Sequence, residues 1–198
     1  MYSIKSDVED TTIIKKSKFI TKLYYIDNIN QITDILIKIK TIYSDASHIC
    51  YAYIINSVEK CSDDKEPSGT AGIPILNVLK KNNLTNILAI VIRYFGGIKL
   101  GSSNLARTYS NCITNVLKNT NIIKIDYGLL IKIEFDFSKI KSIDFLLKNK
   151  NILNKIFNNT ITYEFYIKYD ELKLIDELKK LCIKTYIGEK KLIKIGDC

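Results

Sequence analysis

Two short segments of this 198-residue chain concentrate the residue types that could do chemistry. The first, residues 62–72 (SDDKEPSGTAG), places the carboxylates of Asp63, Asp64 and Glu66 within four positions. Such oxygen ligands could hold Mg²⁺, and a metal-bound water could then attack a substrate. The same carboxylates could instead close turns or pair with an arginine. The remaining candidate residues of this loop are Ser62, Ser68, Gly69 and Thr70.

The second segment, residues 93–102 (RYFGGIKLGS), joins an apolar run to a helical pattern through glycines. Free N–H groups at a helix start attract anions, and glycine lets a phosphate approach closely. The segment fits neither the GxxxxGK[ST] nor the GxGxxG pattern. Its glycines could also serve only a tight structural connection. The candidate anion-binding residues are Arg93, Gly96, Gly97, Lys99, Gly101 and Arg107.

Arginine and histidine are both rare here and both fall near these segments. Arg93 and Arg107 are the only arginines among 30 basic residues. An arginine in a lysine-rich chain indicates a bidentate contact to a carboxylate or a phosphate. The single histidine, His48, could act as a base beside a carboxylate or could be a hydrogen-bonded structural residue. Without a second histidine or a nucleophile elbow, a hydrolase triad is not indicated.

Composition places the chain among globular intracellular proteins. The net charge of +9 is spread over both parts of the sequence and forms no concentrated basic patch. Such a charge is compatible with weak affinity for nucleic acid, but it favours a solvated surface. Five cysteines without a CxxC pair predict reduced thiols, and a lone histidine argues against a zinc site. No apolar run reaches the roughly 20 residues that cross a bilayer, so we expect a cytoplasmic protein without membrane contact.

The hydrophobic pattern predicts where these segments are held. Strands are predicted over 18–26, 48–56 and 87–93, and helices over about 30–43, around Pro74 and from about residue 102 onward. The continuous apolar run 87–93 predicts a strand buried on both faces. From residue 128 the order becomes β-α-β-β-α-β, which is ferredoxin-like. An open face of the strand at 160–169, bearing Tyr163, Phe165 or Tyr169, would suit base stacking.

These segments resemble those of a known family. The matching stretches are HICYAY at 48–53, SDDKEPSGTAGIPILNVL at 62–79 and VIRYFGGIKLG at 91–101, continuing to Leu105, Arg107 and Tyr109. They are similar to the IMPACT family, in particular its bacterial YigZ-type members, and the similarity covers residues 1–125. The later part resembles the second domain of the family only in its pattern of elements.

The resemblance implies an α+β fold of two domains. Residues 1–125 would form an IMPACT-type N-terminal domain similar to the second domain of a small-subunit ribosomal protein. Residues 126–198 would form a ferredoxin-like domain similar to a late domain of elongation factor G. Eukaryotic members of the family carry an extra partner-binding domain and dampen a translation-control kinase by competing for its activator.

The chain departs from the family pattern in two places. Lys65 stands where the family usually has glycine, so a left-handed turn there would be strained for a lysine. Ser103 and Asn104 stand where a Gly-Gly pair is common, and asparagine tolerates the left-handed region better than most residues. The departures predict either a surviving loop or a weakened anion cradle.

Together these observations predict a translation-linked regulatory or binding protein without a cofactor. It would contact RNA or a ribosome-associated partner through a charged groove formed by the two segments. The alternative is an Mg²⁺-dependent enzyme acting on a phosphorylated small molecule or nucleotide, with Asp63, Asp64 and Glu66 as metal ligands. A third interpretation is that Glu66 simply locks against Arg93 and that function lies in the second domain.

Overall fold

A computed structural model describes residues 1–197, and Cys198 lies outside the described residues. The chain forms two compact α+β units, built mainly from Met1–Lys124 and from Ile125–Ile195. The predicted two-domain α+β class is therefore confirmed. No helix in the described part of the chain combines the length and the apolar character that spanning a bilayer requires.

The first unit contains six strands, three helices and the start of a seventh strand that continues into the second unit. The elements are β1 (Tyr2–Ile4), β2 (Val8–Ile14), β3 (Ser17–Tyr25), α1 (Ile29–Ile42), β4 (His48–Ile55), β5 (Val58–Ser62), α2 (Gly72–Lys81), β6 (Ile87–Tyr94), α3 (Ser102–Lys118) and β7 (Ile122–Phe135). The strands predicted at 18–26, 48–56 and 87–93 and the three helices are confirmed. The prediction missed β1, β2 and β5, which are short or half-exposed strands without a continuous apolar run.

The main sheet of this unit has the order β2-β3-β6-β4-β5, and every pairing is antiparallel. On one face, Ile75 of α2 and Ile113 of α3 pack with strand residues that include Val91. On the other face, Ile39 of α1 packs with residues that include Ile90. Since helices cover both faces, residues 87–93 of the central strand β6 are all buried, as the apolar run predicts.

The second unit has the element order β-α-β-β-α-β that the sequence predicts. After β7 come α4 (Ile140–Leu146), β8 (Ile152–Phe157), β9 (Ile161–Lys168), α5 (Lys173–Lys179) and β10 (Lys184–Asp197), with single 3₁₀ turns before α4 and α5. β7 pairs with both β9 and β10, and β8 pairs with the far side of β9. This is the strand arrangement of a ferredoxin-like domain.

The stacking face expected on β9 is corrected by the structure. Tyr163 and Phe165 are buried at 1% and 0% exposure, because they face the helices and pack with Ile143 and Ile175. The half-exposed side of β9 carries Thr162, Glu164, Tyr166 and Lys168 instead. Of the three aromatic residues considered, only Tyr169 is exposed, and it lies in the turn after the strand.

Candidate functional site

The site is built around Arg93 at the end of the central strand. Arg93 lies opposite Phe19 on β3 and opposite His48 on β4 in the register of the sheet. Opposed residues of antiparallel strands point to the same face. Phe19 belongs to the core cluster beneath α2 and α3, so all three side chains lie on that face of the sheet.

Glu66 holds Arg93 in a buried ion pair. Arg93 is 4% exposed, and its Nη1 donates to Oε1 of Glu66 at 2.6 Å. The hydroxyl of Tyr109 on α3 donates to the same oxygen at 2.8 Å. Burial raises the pKa of Tyr109, so its hydroxyl stays protonated and remains a donor. One carboxylate thus joins the 62–72 loop, the central strand and α3.

His48 occupies the wall between Asp64 and Glu66. Its Nδ1 lies 2.9 Å from the backbone oxygen of Asp64, and because a carbonyl only accepts, Nδ1 is the donor. Its Nε2 lies 3.7 Å from Oε2 of Glu66. The geometry is compatible with both interpretations of His48: the ring is hydrogen-bonded to the backbone, as a structural residue would be, and it lies beside a carboxylate, as a base would.

Asp63 organises the loop and the start of α2. Its Oδ2 accepts from Gly69 N–H at 2.8 Å, and its Oδ1 accepts from Ala71 N–H at 2.9 Å and Gly72 N–H at 2.8 Å. Burial alone would raise the pKa of Asp63, but these three backbone donors hold it below its ordinary value. The charged carboxylate is therefore committed to the backbone.

The turn at Asp64 and Lys65 is left-handed at two consecutive residues. Asp64 has φ 41° and Lys65 has φ 67°. Asp64 is compensated, because its Oδ2 accepts from Ile49 N–H at 2.6 Å. Lys65 is exposed and adopts the left-handed geometry, so the turn expected from the resemblance survives with strain at this residue.

Lys65→Gly is expected to stabilise the protein by about 0.5–1 kcal/mol. Relief of the left-handed strain, about 1–2 kcal/mol, exceeds the entropy that glycine loses on folding. Urea denaturation followed by circular dichroism measures the change. Lys65→Ala is the matched control, since it removes the ammonium but keeps the Cβ and should give no gain. Equal gains in both variants would show that charge, and not backbone strain, matters here.

Serine hydroxyls fix the glycine loop to the sheet. Phe95 N–H donates to Oγ of Ser47 at 3.0 Å, and Gly96 N–H donates to Oγ of Ser17 at 3.1 Å. A Cβ on Gly96 would lie 2.1 Å from the backbone carbon of Lys16, so this glycine permits close backbone packing. At Gly96 the glycine therefore serves a tight structural connection, which was the alternative to anion binding.

The next two glycines differ from Gly96. Gly97 and Gly101 have φ 82° and 81°, with open space where a Cβ would stand. Ser103 and Asn104 need no left-handed tolerance, which corrects that expectation, because both are helical residues of α3. Asn104 Nδ2 donates to the Leu100 carbonyl at 3.1 Å and ties the loop to the first turn.

The two segments meet in one open cavity of about 380 Å³. Five of the residues singled out in the sequence line it: His48, Glu66, Arg93, Lys99 and Gly101. The other nine do not line it: Ser62, Asp63, Asp64, Ser68, Gly69, Thr70, Gly96, Gly97 and Arg107. The loop residues among these support the wall, whereas Arg107 is exposed on α3.

The charge of the cavity comes mainly from Lys99 and the helix start. Arg93 and Glu66 neutralise each other, and Lys99 is exposed. The first helical hydrogen bond of α3 runs from Leu105 N–H to the Gly101 carbonyl, and no described side chain caps this end. The preceding N–H groups and the helix dipole therefore favour an anion. Among the described residues, Nε of Arg93 has no hydrogen-bond partner.

The carboxylates of the loop do not converge on a common point. Asp63 binds backbone N–H groups, Asp64 binds Ile49 and Glu66 binds Arg93. In the described chain, no group of three or more His, Cys, Asp and Glu side chains is arranged to hold a metal ion. The geometry favours turn closure and ion pairing over the Mg²⁺ alternative for these residues.

The thiols near the site are packing groups. Burial raises the pKa of Cys50 to about 12 and that of Cys112 to about 11. Cys50 is 0% exposed, with its Sγ 3.0 Å from the Asp63 carbonyl. A protonated thiol is a poor nucleophile, so neither cysteine provides covalent chemistry at neutral pH.

Sequence reasoning did not select half of the cavity lining, which consists of Pro67, Phe95, Leu100, Ser102 and Leu105. Leu100 and Leu105 are apolar positions that look like core residues in any helical pattern. Phe95 carried a usable signal, because a large aromatic residue at the end of a strand, directly before two glycines, has little core to enter. It is 46% exposed.

The comparisons with known proteins agree with the motifs. Residues 15–117 match the family described as the Impact N-terminal domain, a range that contains both cavity segments. The IMPACT family member YvyE of Bacillus subtilis (strain 168) is 33% identical over 189 residues, which are 89% of this chain and 83% of YvyE. An IMPACT family member of Haemophilus influenzae is 34% identical over 154 residues, covering 75% of this chain and 74% of that protein.

A solved structure, described as that of a hypothetical protein, aligns with 98% of this chain and 96% of its own, with a TM-score of 0.63 and 25% identity. The alignment thus includes both units. Because the match to YvyE runs through most of both chains and the domain match contains both cavity segments, this protein belongs to the IMPACT family.

Proposed function

We propose that this protein is a translation-linked regulatory protein that binds RNA, and that the cavity receives a phosphate group. The observation that carries the proposal is the meeting of Lys99 with the uncapped start of α3 in one open cavity. An ammonium and free backbone N–H groups are the donors that phosphate oxygens accept from. The link to translation rests on family membership and on the role implied for eukaryotic members, and the same link supports the proposal of a cytoplasmic location.

Arg93 has a different role from the one expected of it. Its guanidinium is buried and paired, so it supports the cavity wall and cannot provide uncompensated charge at the surface. Lys99 is the exposed cation of the lining and is the residue to test. Arg107 lies outside the cavity and would add at most a general attraction.

RNA is favoured over a small phosphorylated substrate by the surroundings of the cavity. The carboxylates that a metal-dependent enzyme would need are bonded to backbone groups and to Arg93. The cavity is open to solvent, and the chain carries a net charge of +9 that attracts polyanions over a distance. These features suit a cavity that holds one phosphate of an RNA strand.

Lys99→Ala is expected to weaken binding of a single-stranded RNA about tenfold, as expected for one lost charge-assisted hydrogen bond. The dependence of log affinity on log salt should become shallower by about 0.7. Fluorescence anisotropy at several salt concentrations measures both quantities. The matched control is Lys38→Ala, an exposed lysine on α1 on the opposite face of the sheet, which should leave the affinity within about twofold.

Equal losses in Lys99→Ala and Lys38→Ala would mean that binding is a general charge effect and that the cavity is not the site. Absence of RNA binding by the unaltered protein at low salt would overturn the proposal. In that case, capture of a ribosomal protein through the same lysine would point to the protein-partner alternative.

A further inference from the structure

We infer that the cavity receives one unstacked nucleotide of a single-stranded RNA, with its base on the ring of Phe95. This inference rests on the proposed function and adds the form of RNA that is bound. It is carried by an exposed aromatic ring at the anion site, by the way that ring is held, and by the size and charge of the cavity.

Phe95 is an exposed ring in a position that packing does not require. It is 46% exposed and lines the cavity together with Lys99 and Ser102. Beneath it, the guanidinium carbon of Arg93 lies 5.3 Å from the ring centre of Phe95 and 5.3 Å from that of buried Phe19. Arg93 therefore contacts both rings, of which Phe19 is buried and Phe95 is exposed. The exposed part of the Phe95 ring is available for a base to stack on.

The ring is also held in place before any ligand arrives. The backbone of Phe95 is anchored by Ser47, and that of Gly96 by Ser17. The guanidinium under the ring is itself fixed by Glu66. A fixed platform loses little conformational entropy on binding, which increases the affinity that stacking can provide.

Charge and size limit the ligand to a single nucleotide. Lys99 adds one positive charge that the lining does not cancel, which matches one phosphate. The volume of about 380 Å³ lies at the lower end of the range of small-ligand sites.

A duplex does not fit this arrangement. Paired bases are stacked inside the helix, and proteins meet duplex RNA through phosphates and 2′-hydroxyls. Only an unpaired base can reach a ring that lies beside the phosphate donors. The structure therefore assigns preference for single-stranded RNA to Phe95 and general phosphate affinity to Lys99.

The test compares three RNAs of equal length: an unpaired strand, a duplex and a strand of abasic nucleotides. Anisotropy titrations of the full chain should show the unpaired strand bound about tenfold more tightly than the other two, since stacking on one aromatic ring contributes about 1–3 kcal/mol per base. Phe95→Ala should remove this preference and leave duplex affinity unchanged. Phe95→Trp should restore it, and Phe145→Ala, an exposed ring of the second unit, should change nothing.

The outcomes separate the two proposals. Equal affinity of the unaltered protein for unpaired and abasic strands would overturn stacking, and this measurement does not depend on a variant that folds. An unpaired-strand affinity that Phe95→Ala leaves unchanged would overturn it as well. If Lys99→Ala still weakened binding in either case, RNA binding at the cavity would stand without the base contact. If no RNA bound at all, both proposals would fail.

Discussion

Glu66→Ala is expected to lower the free energy of unfolding by about 3–5 kcal/mol, the usual cost of breaking a buried ion pair from one side. Glu66 is 8% exposed, and one of its oxygens accepts from both Arg93 and Tyr109. Its removal leaves a buried guanidinium without its counter-ion and a buried hydroxyl without its acceptor. Urea denaturation monitored by circular dichroism measures the loss.

Exposed ion pairs provide the control for this prediction. Lys80 and Glu59 lie 2.9 Å apart, and both side chains are about half exposed. Glu59→Ala should therefore cost less than about 1 kcal/mol. If Glu66→Ala lowered the free energy of unfolding by no more than Glu59→Ala, the buried pair would contribute little to stability. A double variant of Glu66 and Arg93 should lose less unfolding free energy than the sum of the two single variants, because each single change leaves the other charge buried without its counter-ion.

The buried ion pair of Glu66 and Arg93 also affects how binding experiments are interpreted. A variant of Arg93 would weaken the fold and the cavity wall together, so lost RNA binding in it would carry no information about phosphate contact. Lys99 and Phe95 are exposed lining residues, so each can be changed with less effect on the core. The fold thus separates the residues that build the cavity from those that are free to meet a ligand.

The sequence predicted the elements around the site because their signals are local. The apolar run of β6 and the glycines before α3 lie within a few residues of one another, and both features are present. The pairing of Glu66 with Arg93 could only be one alternative among several. It depends on the register that sets Arg93 opposite His48, and strand register is a property of distant residues.

The functions of the individual loop residues were beyond sequence reasoning for the same reason. Asp63 could be a metal ligand or a turn residue by spacing alone, and the three N–H groups that it accepts from lie six to nine residues further on. Alternation along β9 could not tell which face meets the helices, so Tyr163 was considered for stacking although it is buried. Phe95 had the better signal, since it directly precedes two glycines at the end of a strand.

Gly96→Ala is expected to cost about 3 kcal/mol or more, at the upper end of what an overpacked site loses. The added Cβ would lie 2.1 Å from the backbone carbon of Lys16, 2.2 Å from its oxygen and 2.4 Å from the nitrogen of Ser17. These atoms belong to the turn that joins β2 to β3, where Lys15 and Lys16 have φ 45° and 65°. A shift of this turn away from the added Cβ would disturb the pairing of Ile14 with Ser17.

Gly97→Ala is the matched control, because the neighbouring glycine has open space around it but φ 82°. Its cost should be limited to the left-handed strain of about 1–2 kcal/mol. Thermal and urea unfolding of both variants would distinguish overlap from strain. If Gly96→Ala cost no more than Gly97→Ala, the loop would be free to move away from the hairpin. The Phe95 platform would then lack part of the rigid support that the stacking inference uses, since the contact of Gly96 with Ser17 is one of the two that fix this loop to the sheet.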